Sequence, residues 1–351
     1  VILGYYLGGN YNFLPIIFVF GILPLVDTML GVDKSNPEEV TVSELAGRVY
    51  YKAILYLWTF FQVGFLLLAF YAVTRGGIQQ LTEQVAFTIG VALVTGGIGI
   101  TVAHELGHKK NVLDRAAARL ALAVPCYGHF NIEHNAGHHA QVATPEDSAS
   151  SRYGESIYRF VFREIPGGFR RGWRLEKERL KRRGCSTFSW RNEILQSYAI
   201  SVLLYGGLIA VFGPVILPFL LIQTAFAWWQ LTSANYIEHY GLLREKRPDG
   251  KYERCRPHHS WNANHIASNL VTCHLERHSD HHAYAARSYQ SLRHYEEVPQ
   301  LPQGYFGMFV LAYVPPLWFR VMNPRVLELV DGDLGRVNVD PVYFERSLRT
   351  A

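Results

Sequence analysis

The sequence predicts an all-α integral membrane protein: a helical bundle of six transmembrane helices, the first of them truncated, carrying a helical cytoplasmic cap. Three observations predict it. Hydrophobic residues make up 49% of the 351 residues and charged residues only 18%, whereas a soluble domain has about 25% charged residues. The apolar residues gather in five blocks, each close to the ~20 residues a bilayer-spanning helix needs. Histidines recur at repeated short spacings where those blocks end.

In order along the chain, residues 1–8 read as the stump of an apolar helix, and Val1 in place of Met suggests that the natural start is missing. Asn10-Tyr11-Asn12 turns the chain into a span at 11–30, and a polar linker at 31–49 leads to a second at 50–73. Arg75-Gly76-Gly77 turns it into a third at 82–103; the last two, 194–213 and 214–239, meet at Gly213-Pro214. The remainder forms a cap of two blocks, about 104–193 and 240–351, and 1–351 is read as one membrane-embedded catalytic domain. Within the cap, Tyr153–Arg183 is charge-rich and predicted helical, with a break at Pro166-Gly167-Gly168. Gly304–Met322 is aromatic, is interrupted by Pro315-Pro316 and is expected on the membrane surface. The polar end from Asp331 carries no signal. Four cysteines without CxxC spacing suggest neither a disulfide framework nor a zinc ribbon.

Charge sets the orientation. With the turns near 10, 75–84 and 213–216 on one side of the bilayer, Arg75 is the one Lys or Arg of 34 on that side. The opposite side, which also carries the histidines, is therefore predicted cytoplasmic. A bilayer is the expected environment and a nucleic-acid partner is not expected.

Nine histidines fall in four boxes: His104 and His108; His134, His138 and His139; His239; and His278, His281 and His282. Spacings of four place two imidazoles on one helical face. Nine imidazoles exceed the needs of one ion, so a di-metal cap is predicted. Adjacent histidines point apart, so His138 and His139 are expected to serve different ions, as are His281 and His282. Imidazole suits zinc, copper, iron and nickel alike, so the ligands alone leave the metal open. Glu105, Glu133, Glu238 and Asp280 lie beside the boxes and are expected to take the outer N–H of ligating imidazoles. The other six histidines read as ordinary hydrogen-bonding residues.

Two rival classes fit the sequence less well. His104-Glu105-x-x-His108 is also a zinc-protease pattern, but a protease needs three protein ligands and would leave six boxed histidines without work. A transporter is expected to carry its ionisable residues at mid-membrane, whereas these sit at the boundary.

HELGHKK, EHNAGHH, NYIEHYGL and LERHSDHHA, together with GESIYRF, NEILQ and HHSWNANH, resemble the signature segments of bacterial membrane alkane monooxygenases, which group with membrane fatty-acid desaturases and hydroxylases. The resemblance covers nearly the whole chain. It implies two iron ions held by the nine histidines, dioxygen as co-substrate, and terminal hydroxylation of medium-to-long-chain n-alkanes to 1-alkanols. It further implies electrons from rubredoxin, separate or fused, fed by an NAD(P)H-dependent reductase, and a place in the bacterial inner membrane with the site toward the cytoplasm. A homo-oligomer is compatible with it, and a desaturase or hydroxylase of another hydrophobic substrate is the alternative within the same chemistry.

An alkane offers nothing to protonate or attack, so a redox metal has to carry the reaction. A channel for the alkyl chain is expected above the metals, along Gly97, Ile100 and Thr101, Trp58 and Phe61, and Trp228, Thr232 and Asn235. The cationic run Arg170, Arg171, Arg174, Lys181, Arg182 and Arg183 is expected to steer an acidic electron carrier.

Overall fold

The computed structural model describes residues 1–350, with side chains through Glu345, so Ala351 of the expected domain lies outside it. Among the described residues the regular elements are all helices. Three have the length and hydropathy to cross a membrane before the cap begins: α1 (Gly9–Leu30), α2 (Val49–Thr74) and α3 (Leu81–Gly107). The first cap block holds α4 (Val112–Ala123), α5 (130–141) and α6 (Ile157–Arg182). Two more membrane-length helices follow, α7 (Glu193–Phe212) and α8 (Pro214–Glu238). The second cap block contains α9 (His278–Ala283), then α10 (Tyr305–Ala312) and α11 (Pro315–Glu328), which bend by 118° from one to the next.

Local chemistry fixes the ends. Asn111 caps α4 by accepting the Leu113 N–H at 2.8 Å, and Asn192 caps α7 by accepting that of Leu195 at 3.0 Å. Gly213 turns α7 into α8 at φ 82°, a left-handed conformation that costs glycine little, and Pro214 starts the next helix.

Burial separates lipid-facing from central helices. Of the apolar stretch of α3, 72% is buried, against 11% for α1, which leaves Ile17, Phe18, Leu25 and Met29 exposed. Helix α3 packs against α2, α4 and α8. Polar side chains tie it to α8: Gln223 Nε2 donates to Thr95 Oγ1 at 2.7 Å, and Gln230 Nε2 to the Ala92 carbonyl at 2.8 Å. Three π-helical turns, Phe18–Ile22, Leu93–Ile98 and His134–His138, interrupt the α-helical ladder. Such turns are rare and cluster at functional sites.

The expected break at Pro166 does not occur: α6 runs unbroken from Ile157 to Arg182. Pro166 faces outward, so the backbone bond it removes lies on the exposed side of the helix. The glycines there answer to close approach. A Cβ on Gly167 would stand 2.7 Å from Ser148 Cβ, and one on Gly172 3.2 Å from Glu133 Cβ. Helix α6 therefore lies directly on α5, the element that carries three of the boxed histidines. On the other flank, Tyr305, Phe306, Met308 and Phe309 of α10 join Tyr236, Tyr240, Trp261 and Trp318 in an aromatic core beside the site.

Candidate metal centre

The last turn of α3 supplies His104, and the residue that caps it is His108; their Nε2 atoms stand 3.2 Å apart. His281 of α9 reaches to 3.0 Å from His104 Nε2 and 3.2 Å from His139 Nε2. His139 Nε2 lies 3.0 Å from His134 Nε2. These five form one group. His138, His239, His278 and His282 form a second, and within each group the nitrogens lie within 4.8 Å of one another. The adjacent pairs His138/His139 and His281/His282 each split between the groups. One expectation is corrected. His134 and His138, four apart, do not share a group, because the turn between them is π-helical and aligns His134 with His139 instead.

The spacings fit metal ions. Imidazole nitrogens bound about 2.1 Å from one ion at right angles stand about 3.0 Å apart, and the observed separations are 3.0–3.2 Å. His138 Nε2 and both nitrogens of His282 are buried without a hydrogen-bond partner. Burial, reinforced by neighbouring imidazoles, holds His108, His134, His139, His278, His281 and His282 well below 6.5 and pushes His239 down to about 3. Neutral imidazole is the form that ligates.

The outer nitrogens have defined partners at two positions. His239 Nδ1 lies 3.1 Å from the His259 carbonyl, which accepts its proton and leaves Nε2 free. His138 Nδ1 lies 2.9 Å from Asp147 Oδ2. Asp147 also accepts from Ser150 Oγ at 2.6 Å and pairs with Arg171 at 2.7 Å. Burial works to raise the Asp147 carboxyl, but His138, Arg171 and the hydrogen bonds outweigh it and hold it far below the carboxylate range. Sequence reasoning missed Asp147. It stands in an irregular loop nine residues beyond His138, where no periodicity marks it.

Three of the four carboxylates chosen from sequence are committed to cationic side chains. Glu105 pairs with Lys109 at 2.6 Å and accepts the Tyr289 N–H at 3.3 Å. Glu133 pairs with Arg171. Asp280 binds Arg293 at 2.8 Å, Arg287 at 3.4 Å and the Tyr295 hydroxyl at 2.7 Å. Of the four, Glu238 alone meets a boxed imidazole, with Oε2 3.3 Å from His278 Nε2, and its other oxygen is unpartnered. The zinc-protease pattern therefore has its carboxylate committed to Lys109 and its two histidines merged into a five-member group.

A cavity with His104, His134, Glu238 and His278 in its wall runs up between α3 and α8. Gly97, Ile100, Thr101 and Asn235 line it, as do Leu231, Phe306 and Phe309, which sequence reasoning missed. Trp58, Phe61, Trp228 and Thr232 do not line it: Trp58 packs on Phe61 with ring centroids 5.3 Å apart, Trp228 Nε1 donates to the Pro125 carbonyl at 2.7 Å, and Thr232 donates to Glu164 at 2.7 Å. Of the cationic run on α6, Arg170, Arg174, Lys181, Arg182 and Arg183 are exposed. Arg171 is corrected: it is buried between Glu133 and Asp147, an internal strut of the site.

Glu253, His258 and His259 also approach one another. There His259 Nδ1 accepts the Arg256 N–H at 3.0 Å, so Nε2 carries the proton and donates to Glu253 at 3.2 Å. That group is a satisfied turn.

A helical membrane bundle whose cap gathers histidines into paired groups is the class this molecule represents. Residues 81–312 match the family model described as Fatty acid desaturase. The chain is 53% identical to alkane 1-monooxygenase 1 of Alcanivorax borkumensis over 93% of its own length and 81% of that protein's. It is 51% identical to alkane 1-monooxygenase of Ectopseudomonas oleovorans, covering 97% of this chain and 84% of the relative. The xylene/toluene monooxygenase hydroxylase component of Pseudomonas putida stands further off, at 29% over 92% and 84%. The chain belongs to the alkane 1-monooxygenase family.

Proposed function

We propose that this protein hydroxylates the terminal methyl group of medium-to-long-chain n-alkanes. One alkane, one dioxygen, two electrons and two protons give one 1-alkanol and one water. The observation that carries the reading is the cavity whose apolar wall of Ile100, Leu231, Phe306 and Phe309 ends on His104, His134 and His278. An extended hydrocarbon seated there would present its end, rather than its middle, to the histidine groups.

The nine histidines would hold two iron ions, five imidazoles on one and four on the other. Bound iron supplies the redox chemistry that activates dioxygen, for which an alkane offers no acid–base alternative. The rest falls to the chain's own residues. Asp147 and the His259 carbonyl fix the tautomers of His138 and His239, Arg171 holds Asp147, and the apolar wall orients the chain and excludes water.

The electron donor is rubredoxin, received on the outer face of α6 at Arg170, Arg174, Lys181, Arg182 and Arg183. Their exposure supports this, as does the path inward from α6 through Arg171 and Asp147 to His138. The charge distribution supports an inner-membrane location with the cap in the cytoplasm. Cells expressing the chain with rubredoxin and its reductase, fed an octane-to-hexadecane mixture, should accumulate 1-alkanols, with two irons per purified chain. Absence of alkanols, or one ion per chain, would overturn the reading.

A further inference from the structure

A second apolar cavity adjoins the first. It is walled by Leu3, Pro15, Phe18 and Ile22 from the lipid-facing side of the bundle, and it shares Gly97, Gln230 and Phe306 with the inner cavity. Gln230 is the polar member of that shared boundary. It is buried, with 4% of its surface exposed, and its Nε2 donates 2.8 Å to the Ala92 carbonyl, immediately before the π-helical turn Leu93–Ile98.

The two glycines of that turn accommodate the amide. A Cβ on Gly96 would stand 2.7 Å from Gln230 Nε2, and one on Gly97 2.9 Å from Oε1. The side chain therefore lies flat on α3, tied to Ala92, with its oxygen against Gly97. Any larger group at 230 would project into the shared boundary, and any smaller one would widen it.

Gln230 stands eight residues before Glu238 on α8. Glu238 lies beside His278 at the inner end of the cavity. Eight helical residues rise about 12 Å, the reach of an extended chain of about ten carbons. With its terminal methyl at the histidines, octane ends short of Gln230, whereas hexadecane must continue past it into the outer cavity.

We propose that Gln230 is a chain-length determinant: the gatepost between an inner compartment that holds the reacting end and an outer one that holds the tail of longer alkanes. The proposal rests on reading the inner cavity as the alkane site. An interhelical hydrogen bond alone would make Gln230 a matter of stability, with no effect on the choice between substrates.

The test is competition between octane and hexadecane in cells expressing Gln230→Phe or Gln230→Ala, reading the ratio of 1-hexadecanol to 1-octanol, with membrane-inserted protein and iron per chain measured alongside. Gln230→Phe should lower the ratio about tenfold, the scale on which a hydrophobic site discriminates by steric fit. Gln230→Ala should raise it. Should the Phe variant fail to accumulate, the Ala variant decides. A ratio unchanged in an active variant overturns the gatepost. A wild-type enzyme that makes neither alkanol overturns the function and this inference together.

Discussion

His134 and His139, five residues apart, meet Nε2 to Nε2 at 3.0 Å, while His138 between them faces the other group. On a regular helix the i, i+4 pair would align; the π-helical turn His134–His138 adds one residue and shifts the alignment to i, i+5.

Deleting Ala136 removes that extra residue. The segment should relax to regular α-helix with His134 and His139 now four apart and still aligned, so both groups should keep their register and two irons per chain. Circular dichroism with metal analysis on the same sample reads this out. Loss of iron would mean that the π-helical turn does more than bring His134 into line with His139.

Asp147 should matter more to the metals than any carboxylate inside the boxes except Glu238. Asp147→Asn leaves His138 without the anion that fixes its tautomer, and loss of such partners typically weakens metal binding about 10–100-fold. Glu105→Gln, which disturbs a pair with Lys109, should leave metal retention unchanged. Iron loss against a graded chelator separates the two, and equal losses would count against the assignment of Asp147.

Glu164 of α6 is buried, accepting from Thr232 at 2.7 Å and Asn235 at 3.1 Å. Burial raises its carboxyl from 4.5 to about 7, over the opposing hydrogen bonds from Thr232 and Asn235. Between those values the folded state keeps a proton that the unfolded state has released, so the stability it contributes at low pH is lost as pH rises toward 7. Gln cannot lose that proton. Gln at position 164 (Glu164→Gln) should therefore gain on the parent between pH 5 and pH 8 in thermal unfolding. A melting difference independent of pH would contradict the assignment.

Charge reversal at Arg182 and Arg183 should slow turnover with rubredoxin several-fold at low salt and little at high salt, as screened steering requires. Arg171→Glu should behave differently, impairing metal content at every salt concentration because it places a third carboxylate beside Glu133 and Asp147. Equal salt profiles for the two variants would remove the outer face of α6 from consideration.

The helical membrane class was legible because hydropathy is local: each apolar run carries its own evidence, and Gly213-Pro214 marks its own turn. The histidines were legible because they repeat. What escaped was whatever depends on a second segment. Asp147 has no distinguishing neighbours until the loop folds back on His138. Arg171 reads as one more cation until α6 lies on α5. Pro166 reads as a break until it proves to lie on the exposed face of an otherwise packed helix. The π-helical turns have no periodic signature, so the pairing of His134 with His139 was hidden although both residues stood in plain view. Gln230 acquires meaning only from the cavities on either side of it.

Each histidine group draws on both halves of the chain: the first joins α3 and α5 to His281, and the second joins α5 to His239, His278 and His282. Neither can close until α9 has left the ribosome. By then the five membrane-length helices of the described residues have been made, so neither group can take up its metal until that much of the chain exists. The supply of metal consequently governs maturation of a protein already made, not its synthesis.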